Sequence, residues 1–166
     1  MNAFVQSYSS SCASAPGILP PYSLAPSGET LPPILVVEDD PDDLFFIQRL
    51  IKKTGAQNPV KTFHDGTELV NYLSALAQSS APSKHRAPLL LFLDLSMAGL
   101  DGLWFLTWAR EQRNVGTLTT VIITNSSEPE DMARALELGA HRYLVKYPSL
   151  QTFTTIVKSV HPQTVF

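Results

Sequence analysis

A chain of 166 residues with 44% hydrophobic and 16% charged side chains has the apolar material for one domain with a real core, and too little length for a second full one. Its formal net charge of -3 comes without the clustered basic face that phosphate neutralisation needs, so no nucleic-acid partner is expected and a cation site suits the balance better. Cys12 is the only cysteine, which excludes an intrachain disulfide and a cysteine-based zinc site; no Lys or Arg precedes Arg49 and no apolar run approaches the ~18 residues of a membrane span, so neither export nor membrane insertion is expected and the cytoplasm is the default compartment.

Residues 1–31 are crowded with Ser, Pro, Ala and Gly and lack helical or strand periodicity, so they read as a disordered arm, with one folded domain over 32–166. Ile34-Leu35-Val36-Val37 is a first strand that runs into Glu38-Asp39-Asp40. Asp40 then caps a helix: Pro41 fits its first turn, Asp42 and Asp43 favour its positive end, and Gly55 stops it after Thr54. Leu44, Ile47, Leu50 and Ile51 fall at helical spacing as its core face. A weak strand at Val60 to Phe63 is followed by a helix from about Thr67 to Ala77 and a polar surface loop from Gln78 to Pro88.

Leu89 to Leu93 shows no polar alternation, as expected of a central parallel strand covered on both faces, and it ends in Asp94. Asp101-Gly102 begins a helix to about Arg113 with Leu103, Leu106 and Ala109 at its core positions, which leaves Trp104 and Trp108 offset from that face. Val121-Ile122-Ile123 ends in Thr124. Ser127 with Glu130 has capping-box spacing for a helix that finishes near Gly139. Tyr143-Leu144-Val145 ends in Lys146, and Ser149 opens a last helix to about Val160. Strands and helices alternating in this way predict a doubly wound five-stranded parallel α/β sheet with three α/β/α layers.

In such a sheet ligands bind outside the carboxyl ends of the strands. Glu38, Asp39, Asp94, Thr124 and Lys146 would therefore converge on one crevice. A carboxylate buried at a strand end needs a compensating cation or donor, and facing carboxylates repel unless a divalent ion sits between them. Mg2+ suits hard oxygen ligands. An acidic nucleophile, a metal, a hydroxyl and an ammonium are the parts needed for phosphoryl transfer to a carboxylate. Asp40 is better explained as a helix cap than as a metal ligand. His64, His85, His141 and His161 lack metal-ligand spacing and read as solvated surface residues.

These motifs, with Asp94-Leu95-Ser96-Met97 and Tyr143-Leu144-Val145-Lys146 at intervals of 30 positions from Asp94 to Thr124 and 22 from Thr124 to Lys146, resemble the receiver domain of two-component response regulators over residues 33 to 160. The resemblance implies a flavodoxin-like fold, Asp94 as phosphoacceptor, and Mg2+ held by Asp39 and Asp94 directly, by Glu38 through water and by the Ser96 carbonyl. Thr124 and Lys146 would bind the phosphoryl group, Thr124 and Tyr143 would act as the switch, and Ser96 and Ser126 would flank the attacking water. It further implies a stand-alone receiver, similar to those partnered with phytochrome-type histidine kinases. The donor would be such a kinase or a histidine phosphotransfer protein, the downstream protein target is not specified, and a homodimer stays open. The chain would be no turnover enzyme, catalysing only its own phosphorylation and dephosphorylation.

The family's Lys-Pro is here Lys146-Tyr147-Pro148. A cis bond before Tyr147 would cost about 3 kcal/mol or more and one before Pro148 far less, so the loop is expected to be rebuilt there. Two other readings stay open: a degenerate receiver that binds partners independently of phosphorylation, and an aspartyl-phosphate hydrolase. The latter needs an acid two residues after the nucleophile, where Ser96 stands.

Overall fold

The computed structural model describes residues 31–78, 88, 90–98, 101–112, 115 and 118–160. The arm predicted over 1–31, apart from Leu31, lies outside them, as do Leu89, His85, His161 and the interior of the predicted 78–88 loop. The elements are β1 (Ile34–Val37), α1 (Pro41–Thr54), β2 (Val60–Phe63), α2 (Gly66–Gln78), β3 (Leu90–Leu93), α3 (Gly102–Glu111), β4 (Thr119–Thr124), α4 (Pro129–Glu137), β5 (Arg142–Val145) and α5 (Leu150–Ser159). All strand pairs are parallel, in the order β2-β1-β3-β4-β5, so the uniformly apolar β3 is the central strand.

Alternate side chains of the inner strands β1, β3 and β4 supply two cores. Leu35, Val37, Leu91, Leu93 and Ile122 pack with α2, α3 and α4 on one face. Ile34, Val36, Leu90, Phe92, Val121 and Ile123 pack with α1 and α5 on the other, where Phe92 stacks on Phe153 at 4.4 Å between centroids. This is the doubly wound, three-layer α/β/α arrangement expected from the alternation of elements.

Asp40 caps α1 by accepting the N–H groups of Asp42 (2.9 Å) and Asp43 (3.0 Å), and Gly55 ends it with φ 85, a left-handed conformation glycine adopts without strain. Four local expectations change. On α1 the buried stripe is Asp43, Ile47, Leu50 and Ile51, while Leu44 is half-buried, so a carboxylate takes the position assigned to an apolar residue. On α3 the buried residues are Gly102, Phe105 and Leu106; Leu103 and Ala109 are half-buried, Trp108 packs against Phe105, and Trp104 is exposed. The face is turned because Gly102 lies under the Asp94 carbonyl and Leu95, where a Cβ would stand 2.9 Å from Leu95 Cδ2. On α4 the cap is Glu128, not Ser127: Pro129 sets the first turn with its fixed φ, and the Ser126 hydroxyl donates to Asp131 Oδ2 (2.6 Å) while accepting the Glu128 N–H (3.2 Å). Gln78 is the last residue of α2 rather than the first of a loop, the helix being opened by the Asp65 carboxylate on the Glu68 N–H (2.8 Å).

His64 is exposed as expected. His141 is exposed but not merely solvated, since its Nδ1 accepts the Thr120 N–H (3.1 Å) and its own N–H donates to the Thr120 carbonyl (2.8 Å), which brackets the start of β4.

The Asp40 cap generates a stability prediction. Asp40→Ala is expected to lower the unfolding free energy by about 1 kcal/mol, as other N-cap truncations do. The measurement is a fall in the urea midpoint with an unchanged denaturant slope; an unchanged midpoint would return Asp40 to the pool of candidate ligands.

Candidate functional site

The pocket is built by backbone register before any side chain acts. Val37 of β1 is level with Leu93 of β3, so Glu38 and Asp94 leave adjacent strands together; the Asp94 N–H donates to the Val37 carbonyl (3.1 Å) and the Glu38 N–H to that of Phe63 (3.1 Å). On β5 the Lys146 N–H donates to the Thr124 carbonyl (2.8 Å), which fixes the lysine one step beyond the strand.

Lys146 sends its side chain into the pocket, where 2% of it is exposed. Its Nζ donates to Asp94 Oδ2 (2.8 Å) and Asp43 Oδ2 (2.7 Å), and Glu38 Oε2 lies 2.8 Å away. That Glu38 oxygen is buried, and its contact with Lys146 is a close ion pair that is poorly aligned for a hydrogen bond. Asp39 is exposed beside it, with Oδ2 accepting the Ala98 N–H (2.9 Å). Oxygen atoms of Glu38, Asp39 and Asp94 lie within 4.8 Å of one another. The Ser96 N–H donates to Asp94 Oδ1 (3.1 Å), placing the Ser96 backbone next to the acids.

An orphaned buried oxygen among hard anionic ligands fits a divalent cation such as Mg2+. The electrostatics point the same way. Burial pushes the Glu38 carboxyl up to about 7, with the neighbouring Asp94 charge adding to it and Lys146 only partly opposing it. For Lys146, burial alone would lower the ammonium, but Asp43, Asp94 and Glu38 outweigh it and hold the group above its ordinary value. Asp43 is likewise penalised by burial, and its bonds from Lys146 and Tyr147 more than offset this, leaving its carboxyl below the usual range.

Thr124 and Tyr143 stand on the other side of the strand ends. Thr124 is fully buried at the end of β4, with Oγ1 accepting the Ser126 N–H at 3.4 Å. Tyr143 is half-buried against the core of α2, α3 and α4, and its hydroxyl donates to the Ser126 carbonyl (3.1 Å). Both therefore meet at the Ser126 loop, and Tyr143 is no simple edge aromatic.

Two residues absent from the expected site belong to it. Asp43 holds Lys146, and Tyr147, although 59% exposed, donates its hydroxyl to Asp43 Oδ1 (2.7 Å) and sets its ring edge-on to Phe46 at 4.7 Å. The signal for Asp43 was its spacing: it precedes Ile47 by four and Leu50 by seven, on the core stripe, where a carboxylate demands a cation. The cis peptide is Lys146-Tyr147, not Tyr147-Pro148 as expected. Contacts of Tyr147 with Asp43 and Phe46 hold this loop, and Lys146 reaches the pocket.

The chain matches the response regulator receiver domain over residues 34–158. It belongs to that family. Among curated relatives, the response regulator Rcp1 of Synechocystis is 26% identical over 136 residues, covering 81% of this chain and 90% of its own. Solved structures agree: the bacteriophytochrome response regulator AtBRR has 30% identity and a TM-score of 0.66 over 78% of this chain and 92% of its own. The Mn2+-bound form of Rcp1 has 24% identity and a TM-score of 0.62 over 78% and 91%, and so shares the fold.

The raised Glu38 carboxyl gives the receiver a pH signature. A group that binds its proton more tightly when folded contributes stability that is complete below its unfolded value of about 4.5 and lost as pH rises through about 7. Asp43 has the opposite sign, its contribution vanishing only as pH falls below the ordinary carboxylate range. In cation-free buffer the unfolding free energy of the wild type is expected to decline between about pH 4.5 and pH 7 relative to that of Glu38→Gln. Urea midpoints of both proteins across that interval check it, and parallel profiles would contradict it.

Proposed function

We propose that this receiver is a phosphoacceptor switch: a histidine kinase or histidine phosphotransfer protein donates a phosphoryl group to Asp94, and the change of charge alters a protein-binding face. The observation that carries this is the Asp94 carboxylate, 4% exposed at a strand end, with Lys146 Nζ 2.8 Å from its Oδ2 and two further acids beside it. An Asp94 oxygen attacks phosphorus, the bond from phosphorus to the donor atom breaks, and the electron pair leaves with the donor. Lys146 neutralises the transferred oxygens and the Thr124 hydroxyl turns to donate to one of them.

Glu38, Asp39, Asp94 and the Ser96 carbonyl would hold Mg2+, which when bound supplies positive charge against the phosphoryl oxygens. Orphaned Glu38 Oε2 supports this assignment. A phytochrome-type kinase is the favoured donor, because AtBRR, at 30% identity, is a bacteriophytochrome response regulator. The chain acts on itself rather than turning over a substrate. A cytoplasmic setting follows from such a donor; among the described residues no helix is long and apolar enough to cross a membrane.

The close Lys146 to Asp94 pairing weighs against the degenerate reading, and Ser96 in place of an acid weighs against the hydrolase. Incubation with acetyl phosphate and Mg2+ is expected to add one phosphoryl group by intact mass, and Asp94→Asn to abolish the gain. Labelling that persists in the Asn variant would remove Asp94 as the acceptor.

A further inference from the structure

The ammonium of Lys146 has three protons and three carboxylates around it, yet its hydrogen bonds go to Asp94 and Asp43 while Glu38 Oε2, at a comparable 2.8 Å, is left without one. The well-aligned protons thus go to Asp43 and Asp94, and Glu38 keeps a close but poorly aligned contact. The orientation of Asp43 is fixed from outside the pocket: Oδ1 accepts the Tyr147 hydroxyl at 2.7 Å, Oδ2 accepts Lys146, and the Tyr147 ring is braced edge-on by Phe46 at 4.7 Å. Both Asp43 oxygens are therefore engaged, one by the loop after β5 and one by the lysine. Glu38 Oε2 has no well-aligned hydrogen bond, and a carboxylate oxygen of Glu38 lies within 4.8 Å of oxygens of Asp39 and Asp94.

We propose that Asp43, oriented by Tyr147, is a positioning residue that holds the Lys146 ammonium toward α1 and so keeps the Glu38 carboxylate available to a divalent cation. Released from Asp43, the ammonium is free to align a proton on Glu38 Oε2, which it already meets at 2.8 Å, and to compete with the cation for it more strongly. The replacement of the family's Lys-Pro by Lys146-Tyr147-Pro148 is then part of the device, since Tyr147 supplies the hydroxyl that orients Asp43. This inference rests on the cation site of the proposed function.

The test is Mg2+ binding by isothermal titration calorimetry to the full chain, with no phosphoryl donor. Tyr147→Phe, which alters no charge and leaves the ring on Phe46, is expected to weaken Mg2+ binding about threefold, the size of one net hydrogen bond. Asp43→Asn is expected to weaken it about tenfold. In a Lys146→Met background both effects should shrink to within about twofold, because no ammonium remains to be positioned. Variants that bind as tightly as the wild type overturn the inference. So does Asp43→Asn weakening binding equally with and without Lys146 while Tyr147→Phe is silent, since that is the effect of a lost charge alone. A wild type that binds no Mg2+ overturns the cation site itself, and the inference with it, a result distinct from silent variants of a binding wild type.

Discussion

One ammonium facing three carboxylates governs the architecture above the sheet. Lys146 Nζ lies within 2.8 Å of Glu38, Asp43 and Asp94, so three negative charges meet one positive charge and an excess of two remains. Removing an ion from water costs several kcal/mol, which attraction offsets only when partners are close and hydrogen-bonded. Asp94 and Asp43 meet that condition. Glu38 does not, and burial, helped by the Asp94 charge and only partly opposed by Lys146, pushes its carboxyl up to about 7. The excess of negative charge is what a divalent cation among Glu38, Asp39 and Asp94 would complement.

Strand parity decides which residues share that pocket. Side chains alternate between the sheet's faces, and Val36, Phe92 and Leu144 point to the α1 and α5 side. Two positions on from each come Glu38, Asp94 and Lys146, which emerge on the same side, where α1 presents Asp43. Thr124 and Tyr143 have the other parity, shared with Ile122 in the core under α2, α3 and α4. The acid and ammonium cluster is thus separated from the hydroxyl pair by the strand ends themselves. Contact between the two halves runs through backbone, the Lys146 N–H on the Thr124 carbonyl being the direct link.

The sequence made the frame legible because its local signals agreed with one another. Asp40-Pro41 and Gly55 bound α1 to the residue, apolar runs located the strands, and their polar last residues marked where ligands gather. Most of what escaped was set by contacts beyond the local pattern. Asp43 read as a helix-start acid because helix dipole and core stripe overlap there, and only the lysine 103 positions away distinguishes them. Tyr147 carried no pattern at all, since its partners Asp43 and Phe46 lie on the first helix. The turned face of α3 depended on Gly102 meeting the Asp94 carbonyl, a contact that no helical periodicity records. The Ser127 cap failed because Pro129 and the Ser126–Asp131 bond fix the turn one residue later.

How charge added at Asp94 would be felt elsewhere follows from what is free to move. Both cores are closely packed and the central strand is covered on both faces, so the sheet transmits displacement rather than absorbing it. The weak point is the Ser126 loop. Thr124 Oγ1 accepts the Ser126 N–H at 3.4 Å, a long bond that a rotating hydroxyl gives up at small cost, whereas Tyr143 grips the Ser126 carbonyl at 3.1 Å and Asp131 the Ser126 hydroxyl at 2.6 Å. Were the Thr124 hydroxyl to turn toward a phosphoryl oxygen, Ser126 would lose one restraint and keep three, from Tyr143 on β5 and from Asp131 and the Glu128 N–H at the start of α4. A loop held in that way moves with those anchors, so the displacement is directed to Tyr143 and the first turn of α4. The opposite face, where Tyr147 rests on Asp43, would sense the same event through Lys146. Under the proposed phosphorylation a receiver of this geometry would have two surfaces whose states depend on one carboxylate, and differential binding of a partner to either would shift the equilibrium of both.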